Sequence, residues 1–118
     1  MTKRKAQHEY KLTNAQLLLG IHLDELGLEF RREEKFCERA WRLDIVIPHE
    51  MIAVEISGGN WSGGHRRGEA QEEEYYKLNE AQQRGWKVFQ FTNAQVNCGW
   101  AKAYIAECVG IPLRGAKP

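Results

Sequence analysis

Asp44 and Glu55 are the residues of this chain whose type and placement could do chemistry. Each lies inside a strand-like run, and a short turn joins the two runs over residues 41–57, WRLDIVIPHEMIAVEIS. Alternation puts Trp41, Leu43, Ile45 and Ile47 on one face and Arg42, Asp44 and Val46 on the other. In the second run Ile52, Val54 and Ile56 oppose Ala53, Glu55 and Ser57. Pro48, His49 and Glu50 supply the turn, and a two-residue loop at His49 and Glu50 sets Asp44 directly across from Glu55. Opposed side chains lie about 5 Å apart, where like charges repel. Two acids kept at that cost point to a cation between them.

Magnesium takes oxygen ligands, usually one or two carboxylates, and keeps several waters. Asp44 and Glu55 meet that need, and the backbone carbonyl of Ile56 is close enough in sequence to join them. A metal so held polarises a phosphoryl oxygen and makes hydroxide available near neutral pH. A nearby lysine orients that water or offsets charge building on the phosphate. The constellation fits phosphodiester hydrolysis. Other reactions fit less well. Ser57 and Ser62 lack a nucleophile-elbow context, Cys37 and Cys98 sit in no cysteine-nucleophile signature, and a glycosidase reading of the two acids depends on spacing set by the turn.

These acids need elements to position them. Thr13 and Gln16 read as a capping box opening a helix to about residue 26, with Ala15, Leu18, Leu19, His22 and Leu26 toward the core and Gly27 as the stop. His22 reads as a core-edge histidine. Residues 28–36 read as an edge strand anchored by Phe30 and Phe36, followed by a turn at Glu38 and Arg39. Residues 69–84 form a helix ended by Gly85, with Glu74, Leu78 and Ala81 on one face and Lys77 at its margin. By spacing alone Lys77 is a solvated partner of Glu73 at i, i+4. Residues 86–91 read as a strand buried on both faces, followed by a helical turn after Thr92. The last helix spans 100–109 and carries Trp100, Ala103, Tyr104 and Cys108, with Trp100 and Tyr104 as core or dimer contact. The economical arrangement is an α/β fold, a mixed sheet flanked by helices in the order α-β-β-β-α-β-α.

The loop over 57–68, SGGNWSGGHRRG, holds five glycines and leaves directly from the strand of Glu55. With Trp61, His65, Arg66 and Arg67 it reads either as an aromatic and basic flap touching nucleic-acid backbone or as a surface loop with Trp61 folded onto the core.

At 118 residues the chain is expected to be one domain, with residues 1–12 a loose basic arm and 111–118 a loose tail. Hydrophobic and charged fractions of 42% and 28% exclude disordered and collagen-like classes. No apolar run reaches the roughly 20 residues of a membrane helix, and no apolar segment follows the basic start, so a cytoplasmic protein is expected. Three scattered cysteines without a Cys-x-x-Cys pair argue against a disulfide framework or a structural zinc. A net charge of +1 names no partner, since an acidic centre cancels a basic rim.

Taken in order, Arg42-Leu43-Asp44, Ala53-Val54-Glu55-Ile56, Gly58-Gly59, Trp61, His65, Gly68, Lys77-Leu78-Asn79 and Gly85-Trp86-Lys87-Val88 with Phe91-Thr92 resemble the PD-(D/E)XK nuclease superfamily. The likeness is to small phage-type endonucleases related to Holliday junction resolvases and VRR-type nucleases, and it spans about residues 16–92. It implies a restriction-endonuclease-like core and a Mg2+- or Mn2+-dependent DNA endonuclease bound through Asp44, Glu55 and the Ile56 carbonyl. Branched DNA or a Holliday junction as substrate, a homodimer, and a bacterial or phage-infected cell as its setting are further implications. Two positions depart from the pattern. The usual lysine two residues after the glutamate is Ser57, so its role would pass to Lys77, beside Asn79. A glutamate often offered by the first helix is Gln16. His65 with Arg66 or Arg67 would hold substrate phosphate. The alternatives are a DNA-binding module without chemistry, for which Ser57 and Gln16 speak, and a structural domain whose acids pair with Arg42 or Arg39.

Overall fold

Gln16 N–H donates to Thr13 Oγ1 at 3.1 Å and Thr13 N–H donates to Gln16 Oε1 at 2.9 Å, so the expected capping box forms. It satisfies two N–H groups that a helix start otherwise leaves without partners. Helix α1, Asn14–Glu25, follows, and Gly27 at φ 77° turns the chain out of it. The computed structural model describes residues 11–57 and 67–113. Ala15 and Leu19 face the core as expected, but Leu23, outside the expected stripe, is also fully buried. Gly20 faces Arg32 and Phe30, leaving no room for a Cβ. Arg32 uses that approach to donate to the Gln16 carbonyl at 3.1 Å.

Strands β1 (Arg31–Lys35), β2 (Arg42–Ile47) and β3 (Ile52–Ser57) run as an antiparallel meander. Helix α2 (Arg67–Gln83) carries the chain back to β4 (Lys87–Thr92), which lies parallel to β3. A parallel neighbour requires such a crossover. Short helix α3 (Asn93–Asn97) opens with a second capping box, between Thr92 and Gln95, and α4 (Trp100–Val109) ends the described chain. The sheet order β1-β2-β3-β4 is the mixed α/β arrangement expected, with α3 in place of a single helical turn.

The β2–β3 link is longer than the two residues expected. Pro48–Glu50 form a 3-10 turn and Met51, at φ 53°, reverses the chain. Proline's fixed φ suits the start of such a turn. The register, Ile47↔Ile52 to Ile45↔Val54, is nevertheless the expected one; the ladder ends there, and Asp44 N–H next reaches the Glu55 carboxylate.

Two apolar layers clamp the sheet. Leu19, Leu23, Ile45, Ile47, Val54 and Ile105 pack on the α1 and α4 side, while Val46, Ala53, Leu78 and Ala81 pack under α2. Each buried Leu, Ile or Val among them contributes about 1.5–3 kcal/mol of transfer energy. Leu43 breaks the expected alternation, joining the α2 layer rather than that of Ile45. The break falls where the β2–β3 ladder stops and where Glu33, across from Asp44 on β1, takes φ 47°. β4 is less buried than expected, with Lys87, Gln90 and Thr92 exposed, because it is an edge strand. In α4 the buried residues are Ala101, Ile105 and Ala106; Trp100 and Tyr104 stack on each other over the edges of Phe89 and Phe91 and stay about 40% exposed.

Candidate active site

Backbone pairing between β2 and β3 stops at Ile45↔Val54, and beyond it the cross-strand bonds are made by the two acids. Asp44 N–H donates to Glu55 Oε2 at 2.9 Å, and Ile56 N–H donates to Asp44 Oδ2 at 3.0 Å. Each carboxylate thus accepts a backbone N–H of the facing strand, which anchors both in spite of their repulsion. The outer pairings persist, Lys35↔Arg42 on one side and Glu55↔Gln90 to Ser57↔Thr92 on the other. The acids therefore sit where the centre of the sheet divides while both flanks remain held.

Lys77 completes the cluster. Leu78 and Ala81 seat α2 on Val46 and Ala53, and this presents Lys77 to the acids. Its Nζ donates to Glu55 Oε1 at 3.0 Å and to the Arg42 carbonyl at 2.9 Å, with Glu74 Oε2 at 3.5 Å. The solvated pairing with Glu73 does not form. The Lys77 side chain is 12% exposed, and Glu73 instead accepts from Trp41 Nε1 at 3.0 Å.

The electrostatics follow from this crowding. Burial pushes the Glu55 carboxyl up, to about 8, reinforced by the Asp44 charge and opposed by Lys77 and the backbone N–H of Asp44. Burial also raises Asp44, against the bond from Ile56 and the attraction of Lys77. Burial works against the Lys77 charge, but Glu55, Glu74 and Asp44 outweigh it and hold the ammonium above its usual range. The three groups titrate as a unit with one positive charge against two acids. Glu33 feels the same field, raised first by burial and then by Asp44. Glu33 and Glu74 are neighbours of the site that sequence reasoning missed. Glu74 stands three residues before Lys77, a helical contact spacing, and Glu33 lies across β1 from Asp44.

A divalent cation fits this donor set. Lys77 bonds Glu55 and acts on Asp44 through space, and each carboxylate has about four lone-pair directions, more than its hydrogen bonds within the cluster use. Among the described residues no group of three or more His, Cys, Asp or Glu has metal-holding geometry. Two carboxylates, a carbonyl and waters are a magnesium-type set. Ile56 enters the site through its N–H as well as following Glu55 on β3.

The other expected residues are dispersed. Ser57 ends β3, exposed and paired with Thr92. Gln16 spends its amide on the α1 cap, and Asn79 lines a cleft beside the cluster rather than the cluster itself. Trp61, His65 and Arg66 lie outside the described residues, as does the side chain of Arg67, which opens α2. Among the described residues neither Arg42 nor Arg39 pairs with the acids. Arg42 donates to the Glu33 carbonyl at 3.3 Å, and Arg39 lies 4.5 Å over the Trp41 ring. The ion pair that does form is Glu55 with Lys77, in place of the expected Arg42 or Arg39. No described helix is long and apolar enough to cross a membrane.

Fold and site together define an α/β protein with a mixed four-stranded sheet and a carboxylate-lysine cluster at its central division. The fold is similar to that of the catalytic domain of the homing endonuclease I-Bth0305I, at a TM-score of 0.63 and 18% identity, over 81% of this chain and 93% of that one. At that identity the likeness is one of fold. No family model matches the chain, and no curated protein matches it.

Proposed function

We propose that this protein is a Mg2+- or Mn2+-dependent DNA endonuclease that hydrolyses phosphodiester bonds. The observation that carries the reading is the buried Asp44, Glu55 and Lys77 cluster, in which two acids on facing strands share one lysine from a helix. Asp44, Glu55 and the Ile56 carbonyl hold the metal. When bound, the metal supplies Lewis-acid polarisation of the phosphate and a water of lowered pKa. Lys77 orients the attacking water or offsets phosphate charge, which restores from α2 the lysine that Ser57 does not provide in the PD-(D/E)XK pattern. His65, Arg66, Arg67 and Trp61 of the glycine-rich segment contact substrate backbone. The fold of an endonuclease catalytic domain supports DNA as the substrate class. Branched DNA, including a four-way junction cut by a homodimer, is the finer reading, and the cytoplasm of a bacterial or phage-infected cell its setting. A DNA-binding module without chemistry is the second reading, favoured by Ser57 at the usual lysine position.

The test is cleavage of linear duplex, single-stranded and four-way-junction DNA with magnesium and with manganese, beside Asp44→Ala and Lys77→Ala. Metal-dependent cutting lost in both variants is expected. No cutting of any substrate, with DNA binding retained, would favour the second reading. Full activity in Lys77→Ala would remove the lysine from the mechanism.

A further inference from the structure

A cleft of about 480 Å³ lies between α2 and the turn that leads into β2, outside the carboxylate cluster but beside it. Trp41, which lines it, immediately precedes Arg42, whose carbonyl accepts from Lys77. Trp41 Nε1 also bonds Glu73, one helical turn before Lys77. Whatever occupies the cleft therefore reaches the edge of the candidate active site.

The lining says what that occupant is. The cleft carries two arginines and two glutamates, and both arginines are engaged: Arg84 Nε donates to Glu80 at 2.9 Å, and Arg39 covers the Trp41 ring. With its charge balanced, the cleft has little attraction for a phosphodiester backbone. The Trp41 ring is taken up by Arg39 and by the stacked Phe36, so what the lining offers is the Tyr76 ring, 54% exposed, the plane of the Arg39 guanidinium and the exposed carboxamides of Asn79 and Gln83. Ring faces and a guanidinium plane stack a nucleobase, and carboxamides can donate to and accept from its edge. We propose that this cleft takes the base of an unpaired nucleotide in the DNA strand held at the carboxylate cluster. The inference rests on the endonuclease reading above and deepens it. A paired base must be pulled from its stack to enter, whereas a bulge or branch offers one at lower cost, so the cleft selects DNA with an unpaired nucleotide.

Binding in EDTA separates this from catalysis. The probes are a fluorescent duplex with a one-nucleotide bulge, the same bulge made abasic, and the fully paired duplex. Stacking of one base gives wild type about ten-fold tighter binding to the bulge than to its abasic form. Tyr76→Ala and Gln83→Ala, both at exposed positions, erase that preference and leave affinity for paired duplex unchanged. Equal affinity for base and abasic bulge in wild type, or a preference that survives both variants, overturns the proposal. So does a dimer seen by sedimentation that Tyr76→Ala dissolves, since a second copy would then fill the cleft. Base preference in a protein that cuts no DNA would sink the endonuclease reading but not this site. Cutting without base preference would do the reverse, and failure to bind any DNA overturns both.

Discussion

Lys77→Met keeps an unbranched side chain of similar length and removes the one cation that, among the described residues, faces Asp44 and Glu55. Lys77 Nζ and Glu55 Oε1 are 3.0 Å apart with both side chains little exposed, so the loss belongs with broken buried pairs, about 3 kcal/mol. For 118 residues the unfolding entropy is about 0.25 kcal/mol/K, which makes the expected fall in Tm about 12 °C. The pH dependence identifies the cause. A carboxyl whose folded pKa lies above its unfolded value binds its proton more tightly when folded, so stability falls as pH rises through that window. Glu55 is already raised to about 8 with Lys77 present to lower it, and without Lys77 it rises further. At pH 6 Glu55 carries its proton in both proteins and the penalty is small. It opens above pH 8, where wild-type Glu55 ionises against Lys77 and the variant has no partner for it. Magnesium at about 100 times its Kd returns about 2.7 kcal/mol by binding the folded form. The assay is thermal unfolding by circular dichroism at pH 6 and pH 9, in EDTA and in magnesium. The same Tm loss at both pH values, or no recovery with magnesium, would refute the reasoning.

Three further outcomes are expected. Asp44→Asn keeps an oxygen to accept the Ile56 N–H and so folds, but it loses manganese uptake by isothermal calorimetry and about 10²–10³ in cleavage rate. Metal uptake by wild type strengthens from pH 6 to about 8, because the metal must displace the proton that the raised Glu55 holds below that range; the released proton is read from the dependence of binding heat on buffer. Thr13→Ala removes the oxygen that accepts from Gln16 N–H and costs about 1 kcal/mol, a Tm fall of about 4 °C, with no change in metal affinity.

Local patterning made the hairpin and the helix ends legible in the sequence. Side-chain alternation and turn position put Asp44 opposite Glu55 even though the turn itself is longer than the two residues expected, because Pro48–Glu50 and Met51 change the route and not the register. Thr13 with Gln16, Gly27 and Gly85 mark helix boundaries through bonds and dihedrals contained within a few residues. Lys77 is the opposite case. Its spacing suits both Glu73 and Glu74, and only the seating of Leu78 and Ala81 against β2 and β3 turns it from water to Glu55 and the Arg42 carbonyl. Glu33 gains its place beside Asp44 from strand order, and β4 is half-exposed because nothing pairs beyond it in the described sheet. Short-range bonds and periodicity are written in neighbouring residues, so the chain alone determined where the two acids face each other. Which helix face meets them, and therefore which cation they share, is decided by burial of surfaces far apart in the chain, and only the tertiary structure carries that.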